Sequence, residues 1–578
     1  MIPALLADTL AAIAASADPE GTTPNELVSP TGNPAHGDYQ WNFAFRLAKA
    51  RKENPRALAE SLATKVNQLN HPRIRKAEVA GPGFINLFLE DAALARTLEE
   101  QRKFPQLGLP QGGSGKTVVI DYSSPNVAKR MHIGHMRSTH IGHALDRLHR
   151  AAGYNVIADN HIGDWGTQFG KLIVAWRYWH DAAAYAADAI GELERLYVLF
   201  GTRSKLAEGD DDETKSSKQA LIEAARTETV KLQKGDPDNL ALWQQFMDVS
   251  MAEFNTVYAR MGVKFDVTLG ESHYRDMTDK VVEDLRRDGI AEASEGAWIV
   301  RFEENSLKNS PVIVQKRDGA SNYTTTDLAC LRYRIAQWNP DRILIVTDMR
   351  QQLVFNQLFA IARRWNIRTE LIHTWFGMLV LPEGAMSTRA GNVIRLVDLF
   401  DEAVSRARAI VDEKAPHLPD EERADIADAV GIGSIRYADL CQHPQTDVTF
   451  TWEKMLSFEG NTAPYLLYSY ARCCSLLAKA GESPDIQAIR LDHALERELA
   501  LSILRLPESA LAALNLSRPN LLADQIYDLA NRVNRVYHDL PVLTGGDARA
   551  SRLALLDCAR NALRSGMEWL GLRVIDRM

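Results

Sequence analysis

Two successions of strand, helix and strand constrain the fold of this chain more than any other feature. In the first, the buried strand "KTVVIDY" (Lys116 to Tyr122) precedes a helical pattern from about Gly134 to Ala152 and a second strand, "YNVIADN", from Tyr154. In the second, "DRILIVTD" (Asp341 to Asp348) and "LIHTWFG" (from Leu371) flank the helical stretch "QQLVFNQLFAIARRW". Because this order forms right-handed parallel crossovers, we predict an α/β fold with one doubly wound parallel sheet and a long insertion.

Two further regions flank the predicted sheet. Residues before about 110 alternate helical patterns with one clear strand, "GFINLFLE", which indicates a small α/β unit. From about Val397 apolar residues recur at helical spacing almost to Met578, which indicates an all-α helix bundle. We therefore predict an N-terminal domain at 1–112, a sheet-containing domain at 113–395 with a helical insertion at about 175–262, and a C-terminal domain at 396–578.

Composition and charge narrow the class of protein. The 578 residues are 46% hydrophobic and 25% charged, as in ordinary globular proteins. The N-terminal segment lacks a basic region before its apolar residues and is interrupted by Asp8, so we expect no signal peptide. Because no run reaches eighteen apolar residues, we expect no membrane-spanning segment. Five cysteines without a CxxC pair predict reduced thiols in the cytoplasm and no structural metal. A net charge of −8 neither supports nor excludes a nucleic-acid partner.

The tetrapeptide HIGH occurs twice in "SSPNVAKRMHIGHMRSTHIGHALDR". The copy from His132 to His135 follows a strand and opens a helix, where we expect unpaired backbone N–H groups and the positive helix end to favour phosphate. Both histidines can donate hydrogen bonds to a polyphosphate, and Gly134 lets a nucleotide approach the backbone. The copy from His140 to His143 begins about 12 Å further along the helix, so we predict that its histidines are packing residues.

The stretch "SSPNVAKRMHIGHMRST" resembles the nucleotide-binding signature of class I aminoacyl-tRNA synthetases, in the form typical of arginyl-tRNA synthetases. "NHIGDWGTQFGKLI" resembles the next block of that family, and "GDYQWNFAF", "GPGFINLF", "KRDGASNYTTTDLA", "LSFEGNTAPYLLYSYAR" and "LGLRVIDRM" match further blocks in order. The resemblance implies a Rossmann-like catalytic domain that uses ATP to activate L-arginine to arginyl-adenylate and transfers the arginyl group to the 3′ end of tRNA(Arg). It also implies Mg²⁺ bound with ATP, without a dedicated protein metal site.

The resemblance assigns the catalytic role to His132, His135 and a lysine, but this chain departs from the usual KMSKS loop. That loop is "AMSTR", from Ala385 to Arg389, and both of its lysines are absent. In the family the missing cation is supplied by a lysine before HIGH, which is Lys129 here; a solvated loop lysine is the alternative. The implied ATP-binding residues are His132, Gly134, His135, Met386, Ser387, Thr388 and Arg389.

A guanidinium that enters a partly desolvated pocket requires carboxylates, and its planar fork favours bidentate partners. Glu271 in "TLGESHY" and Asp327 in "NYTTTDLA" match the arginine-binding acids of the family. Tyr323, four residues before Asp327 and so on the same helical face, matches its tyrosine partner. Taken singly, Tyr323 could be a packed aromatic and Asp327 a helix N-cap. The remaining arginine ligands implied by the resemblance are Ser124, Asn126 and Gln351.

The resemblance also implies contacts with tRNA outside the catalytic domain. In the N-terminal domain, Phe84 would stack on a D-loop base and Asn86 would hydrogen-bond to it. In the C-terminal domain, Tyr465, Tyr468 and Arg472 would contact the anticodon. Each of these side chains fits ordinary packing equally well.

Two other interpretations stay open at this stage. The chain could be a tRNA-binding paralogue that has lost catalysis, an idea motivated by Ala385 and Thr388, or a class I synthetase for another amino acid. Under the main interpretation we expect a cytoplasmic monomer whose partners are tRNA(Arg), L-arginine and ATP, with neither DNA nor a membrane among them.

Overall fold

The computed structural model describes residues 2–19, 28–304, 306–380 and 395–578. The chain forms two compact units. The helical unit comprises Met1–Gln111, Lys414–Gly433 and Leu456–Met578, and the sheet unit comprises Gly112–Glu413 and Ser434–Met455. The predicted boundary after residue 395 falls inside the sheet unit, and the division into three domains stays a prediction.

The secondary structure follows the predicted succession. The helices are α1 (Ile2–Ala17), α2 (Phe43–Arg51), α3 (Pro55–Gln68), α4 (Asp91–Lys103), α5 (Ile133–Ala151), α6 (Thr167–Trp179), α7 (Ala182–Ala187), α8 (Ala189–Ser204), α9 (Asp212–Gln233), α10 (Pro237–Met261), α11 (Glu271–Tyr274), α12 (Thr278–Arg287), α13 (Tyr323–Trp338), α14 (Gln352–Arg364), α15 (Leu396–Lys414), α16 (Asp420–Leu440), α17 (Trp452–Met455), α18 (Ala463–Ala480), α19 (Ala494–Leu516), α20 (Asn520–Asp539) and α21 (Arg549–Trp569). The strands are β1 (Ser29–Pro30), β2 (Tyr39–Trp41), β3 (Ile74–Ala80), β4 (Phe84–Leu89), β5 (Thr117–Asp121), β6 (Asn155–Asn160), β7 (Val267–Thr268), β8 (Glu292–Ser294), β9 (Ala297–Val300), β10 (Val312–Gln315), β11 (Arg342–Asp348), β12 (Glu370–Phe376), β13 (Leu379–Val380) and β14 (Val448–Thr449).

The sheet unit is built on a parallel sheet with the strand order β12-β11-β5-β6-β7. From β5 the chain continues to β6 on one side, whereas β11 and β12 lie on the other side. The order therefore reverses between β5 and β11, and ligands of open α/β sheets bind at the carboxyl ends of the strands beside such a reversal. The predicted α/β fold with a doubly wound sheet is confirmed.

The helix that follows β5 packs against this strand through a glycine. Gly142, in the middle of α5, lies so close to β5 that a Cβ there would be 2.2 Å from Cβ of Tyr122. The glycine of the second HIGH motif is therefore required by close packing of helix and strand. This contact fixes the position of the start of α5 above the sheet.

The insertion between β6 and β7 is helical, as predicted. Helices α6 to α10 surround their own hydrophobic core, whose fully buried members include Phe169, Leu193, Leu196 and Phe246. Apolar residues at helical spacing on several neighbouring helices account for this separate core.

The helical unit contains an antiparallel sheet with the order β1-β2-β4-β3, together with the helices α18 to α21. Arg497 of α19 forms ion pairs with Asp38 and with Asp91 at the start of α4, at 2.7 and 2.6 Å. Helix α19 is long and apolar enough to cross a membrane, but 61% of its apolar window is buried within the unit, as in the core helix of a bundle.

Replacing Gly142 by alanine should lower the free energy of unfolding by about 1–3 kcal/mol, because the new Cβ overlaps Tyr122 and forces α5 away from β5. Thermal and denaturant unfolding of the two proteins measure this difference. Gly201→Ala in α8 is the matched control, since a Cβ there meets no atom within 4 Å and alanine is the better helix former. An unchanged unfolding midpoint for Gly142→Ala would contradict the packing argument.

Candidate functional site

The loop from β5 to α5 has an unusual backbone. Ser123, Ser124 and Ala128 adopt left-handed conformations with φ of 74°, 49° and 63°, which are uncommon for residues other than glycine. Hydrogen bonds hold the loop in this state: the Ser123 N–H donates to Ser138 Oγ at 2.9 Å, and the Ser124 N–H donates to Asn160 Oδ1 at 3.1 Å. Strained backbone that is held in this way is typical of functional loops.

The two histidines of the first HIGH motif cap the helix that they begin. His132 Nδ1 accepts from the Gly134 N–H at 3.0 Å, and His135 Nδ1 accepts from the His132 N–H at 3.2 Å. The expectation of unpaired backbone N–H groups is therefore wrong at His132 and Gly134, because the imidazoles take those donors. A Cβ on Gly134 would lie 2.7 Å from Cε1 of His132, so the glycine makes room for this ring as well.

The caps also determine what the histidines can offer to a ligand. A ring nitrogen that accepts a hydrogen bond carries no proton, so each neutral imidazole keeps its proton on Nε2 and can donate from there. Burial and the neighbouring His132 lower the pKa of His135 to about 3, and burial and Lys129 lower the pKa of His132. At neutral pH both rings are thus uncharged hydrogen-bond donors.

A cavity of about 210 Å³ lies beside this loop in the sheet unit. Three of the predicted arginine ligands, Asn126, Glu271 and Tyr323, line it together with Lys129. Tyr323 is 66% exposed at the start of α13, and Glu271 is half-buried at the start of α11. The other lining residues are Val127, Ala128, Trp165, Gln168, Phe169, Leu172 and Tyr197.

Glu271 lines this cavity and Asp327 does not, but the two acids are close enough for their charges to interact. Burial, and then the negative charges of Asp327 and Asp164, raise the pKa of Glu271 to about 8. Burial and Asp121 raise the pKa of Asp327 to about 7, although Arg334 opposes this. Within the described residues neither Glu271 nor Asp327 forms an ion pair with a lysine or arginine. Close acids with raised pKa values are stabilised by a cationic ligand.

Asp164 is a part of the site that the sequence motifs did not assign. Its carboxylate accepts hydrogen bonds from the Ser272 N–H at 2.8 Å and from Ser272 Oγ at 2.6 Å, and so fixes the helical turn that presents Glu271. A Cβ on Gly270 would lie 2.1 Å from this carboxylate, so only glycine fits before Glu271. The motif "HIGDWG" contains Asp164, but its contact is 108 residues away in the chain.

Some of the predicted residues lie apart from the cavity or outside the described residues. Ser124 is half-buried and donates to Asp121 Oδ1 at 3.0 Å, and Gln351 is exposed after the carboxyl end of β11. Met386, Ser387, Thr388 and Arg389 lie outside the described residues.

The second HIGH motif is buried, as predicted for packing residues. His140 and His143 are 1% and 5% exposed, and burial lowers the pKa of both. Nearby, Arg137 donates to Asp439 Oδ1 at 2.8 Å and to the carbonyl oxygens of Gly377 and Thr446 at 2.8 and 2.9 Å. This buried guanidinium holds the first turns of α5 to the segment that follows β12.

In the helical unit the predicted tRNA ligands differ in exposure. Asn86 is buried and accepts from Gln40 Nε2 at 3.0 Å, and Phe84 meets the ring of Phe45 edge-on with the ring centroids 4.8 Å apart. Burial leaves Asn86 no free face for a base.

The three C-terminal candidates are more accessible. The Tyr465 hydroxyl donates to Asn531 Oδ1 at 2.7 Å. The guanidinium of Arg472 lies between the rings of Tyr468 and Tyr537, at 4.6 and 4.4 Å from their centroids. The side chains of Tyr468, Arg472 and Tyr537 line a cavity of about 1250 Å³.

The first strand of the parallel sheet thus leads to a histidine-capped helix, and a cavity lined by Glu271 and Lys129 lies beside the connecting loop. Three family models match the chain: "tRNA synthetases class I (R), catalytic domain" at residues 96–452, "DALR anticodon binding domain" at 466–578, and "Arginyl tRNA synthetase N terminal domain" at 2–89.

Similar proteins agree with these models. An arginine–tRNA ligase of Fusobacterium nucleatum is 44% identical over 575 residues, 97% of each chain, and one of Azotobacter vinelandii is 42% identical over 97% of this chain and 96% of its own. The structure is similar to Thermus thermophilus arginyl-tRNA synthetase, with a TM-score of 0.81 at 25% identity over 99% of this chain and 100% of that one. The chain belongs to the arginyl-tRNA synthetase family.

Proposed function

We propose that this chain is an arginine–tRNA ligase: it activates L-arginine with ATP and transfers the arginyl group to the 3′ end of tRNA(Arg), releasing AMP and diphosphate. The observation that carries the proposal is the pair of acids Glu271 and Asp327, which have raised pKa values and form no ion pair within the described residues; Glu271 lines the cavity beside the loop that leads to the histidine-capped helix. No described residue favours a catalytically impaired paralogue, since the site retains donors for phosphate and acids for a guanidinium.

The triphosphate subsite uses His132, His135 and Lys129, with Gly134 between the histidines. The reaction needs no protein nucleophile, because the carboxylate of arginine attacks the α-phosphate of ATP in line. The chain therefore has to position the reactants and offset the negative charge that develops on the phosphate oxygens. Nε2–H donors on two neutral histidines and one ammonium group suit this role, and Met386 to Arg389 complete the proposed subsite.

The arginine subsite uses Glu271 and Asp327 for the guanidinium. Tyr323 and Asn126 line the cavity that contains Glu271 and provide further polar contacts, and Ser124 and Gln351 complete the proposed set of ligands. A pocket built from hydrogen-bonding acids rejects a substrate that leaves them unpaired, which explains selectivity for a planar fork over an ammonium group.

Mg²⁺ would accompany ATP and partly neutralise its phosphates. Among the described residues no group of three or more His, Cys, Asp or Glu side chains is placed to hold a metal ion. We propose that the magnesium ion is bound through the nucleotide, which is common for this cation.

Contacts with tRNA fall to the helical unit. Arg472, Tyr468 and Tyr465 offer aromatic and cationic surfaces on which splayed anticodon bases can stack. Phe84 offers a half-buried ring to a D-loop base. Asn86 would have to break its hydrogen bond with Gln40 before it could form one with a base. We further propose a cytoplasmic monomer, in keeping with five free cysteines.

A charging assay with ATP, tRNA and a panel of amino acids tests the function. We expect arginyl-tRNA and no other product, and a loss of at least 10²-fold in kcat/KM for Glu271→Ala or Asp327→Ala, because each leaves the guanidinium poorly paired. Tight tRNA binding without charging would indicate the impaired paralogue. Unchanged use of arginine by both variants would indicate another substrate.

Arginine binding should strengthen as pH rises from 6 to about 8. In the empty site the pKa of Glu271 is raised to about 8 and that of Asp327 to about 7, so binding of the guanidinium displaces protons below these values. Each displaced proton makes the Kd fall about tenfold per pH unit. Calorimetry in two buffers of different ionisation enthalpy measures the proton release. Glu271→Gln should remove the part of the pH dependence that ends near pH 8, because this part comes from Glu271. A Kd that is constant from pH 6 to 9 would contradict the model.

The two HIGH motifs should respond differently to substitution. His135→Ala should lower kcat for arginine activation by about 10²–10³-fold, because its Nε2–H meets charge that develops in the transition state. His143→Ala should instead lower the unfolding midpoint, since this ring is buried in the body of α5. Steady-state charging and thermal unfolding of both variants measure the difference. Equal losses of activity in two stably folded variants would defeat the assignment.

A further inference from the structure

The helical insertion holds the residues on both sides of Lys129. The Ala128 N–H donates to Oγ of Ser250 in α10 at 2.9 Å, and the Arg130 N–H donates to Oε1 of Glu194 in α8 at 2.6 Å. The guanidinium of Arg130 also pairs with Asp188, which caps the start of α8. Because Ala128 has left-handed backbone, this loop conformation depends on such outside contacts.

Lys129 itself meets the insertion through an aromatic ring. Its Nζ lies 4.4 Å from the centroid of Tyr197, a half-buried residue of α8. Both side chains belong to the lining of the cavity that also contains Glu271 and Tyr323. The charge of Lys129 also reaches the HIGH motif, since burial and Lys129 together lower the pKa of His132.

The two adjacent cations of this loop have partners of opposite kinds. Arg130 pairs with two carboxylates, Asp188 and Glu194, which neutralise it and make it an anchor. Lys129 lies on a neutral ring, which attracts a cation through its quadrupole and leaves the positive charge in place. A carboxylate in the position of Tyr197 would hold the lysine equally well but would cancel the charge that a phosphate requires.

We propose that Tyr197 and Glu194 are positioning residues for Lys129, through which the insertion places the cation that this chain uses in place of the missing loop lysines. The ring of Tyr197 holds the ammonium group at the cavity, and Glu194 fixes the backbone beside it. This inference rests on the proposed role of Lys129 in ATP-dependent activation.

Kinetics of the full-length protein with tRNA test the proposal. Tyr197→Leu should lower kcat/KM for ATP about tenfold and leave the KM for arginine within twofold, because only the placement of the ammonium group changes. Tyr197→Phe keeps the ring and should retain activity within twofold. Tyr178→Leu, at an exposed tyrosine of α6 away from the loop, is the matched control and should behave as the unmodified protein.

A double-mutant cycle separates positioning from a general structural effect. If Tyr197 acts through the lysine, Lys129→Ala combined with Tyr197→Leu should be no less active than Lys129→Ala alone. Losses that multiply in the double variant, or normal activity of Tyr197→Leu, would overturn the inference while the function stands. If Tyr197→Leu does not fold, Glu194→Ala, which removes the acceptor of the Arg130 N–H, replaces it in the cycle with the same expected result. Normal activity of Lys129→Ala would instead remove the proposed role of the lysine itself.

Discussion

One buried guanidinium holds the carboxyl ends of the central strands together. Arg334 of α13 donates from Nε to Asp159 at 2.9 Å and from Nη2 to Asp121 at 2.7 Å. Asp121 is the last residue of β5, and Asp159 is the last but one of the neighbouring strand β6. Without a shared cation the two buried carboxylates would repel each other, and removal of one partner from a buried ion pair costs about 3–5 kcal/mol. The pairing joins the first strand–helix–strand succession to α13, which precedes the second, at the edge where the site lies.

The same network sets the electrostatics of the proposed arginine subsite. Arg334 neutralises Asp121 in part. Burial is the main cause of the raised pKa of Asp327, and the negative charge of Asp121 is the second cause. Burial is also the main cause of the raised pKa of Glu271, and the negative charges of Asp327 and Asp164 raise it further. Negative charge therefore accumulates around Glu271, which lines the same cavity as Lys129.

Local sequence patterns predicted much of the fold. The strand predicted from Lys116 to Tyr122 is observed at Thr117–Asp121, and the helix predicted from Gly134 to Ala152 is observed at Ile133–Ala151. Tyr323 and Asp327 lie four residues apart on α13, as their spacing predicted. The patterns missed the contacts between residues that are distant in the chain, such as Asp164 with Ser272 and Lys129 with Tyr197. No local sequence pattern indicates that these residues are partners.

The sequence by itself determined the parallel sheet and the position of the first HIGH motif at the opening of a helix. Periodicity and motif order suffice for these features, because they arise from neighbours along the chain. Only the tertiary structure decided that the imidazoles of the first HIGH motif accept hydrogen bonds from backbone N–H groups of their own helix. It also decided that Gly142 of the second motif allows close packing of helix and strand, and that Lys129 lies on the neutral ring of Tyr197. Protonation, close approach and charge balance depend on groups that folding brings together from distant segments.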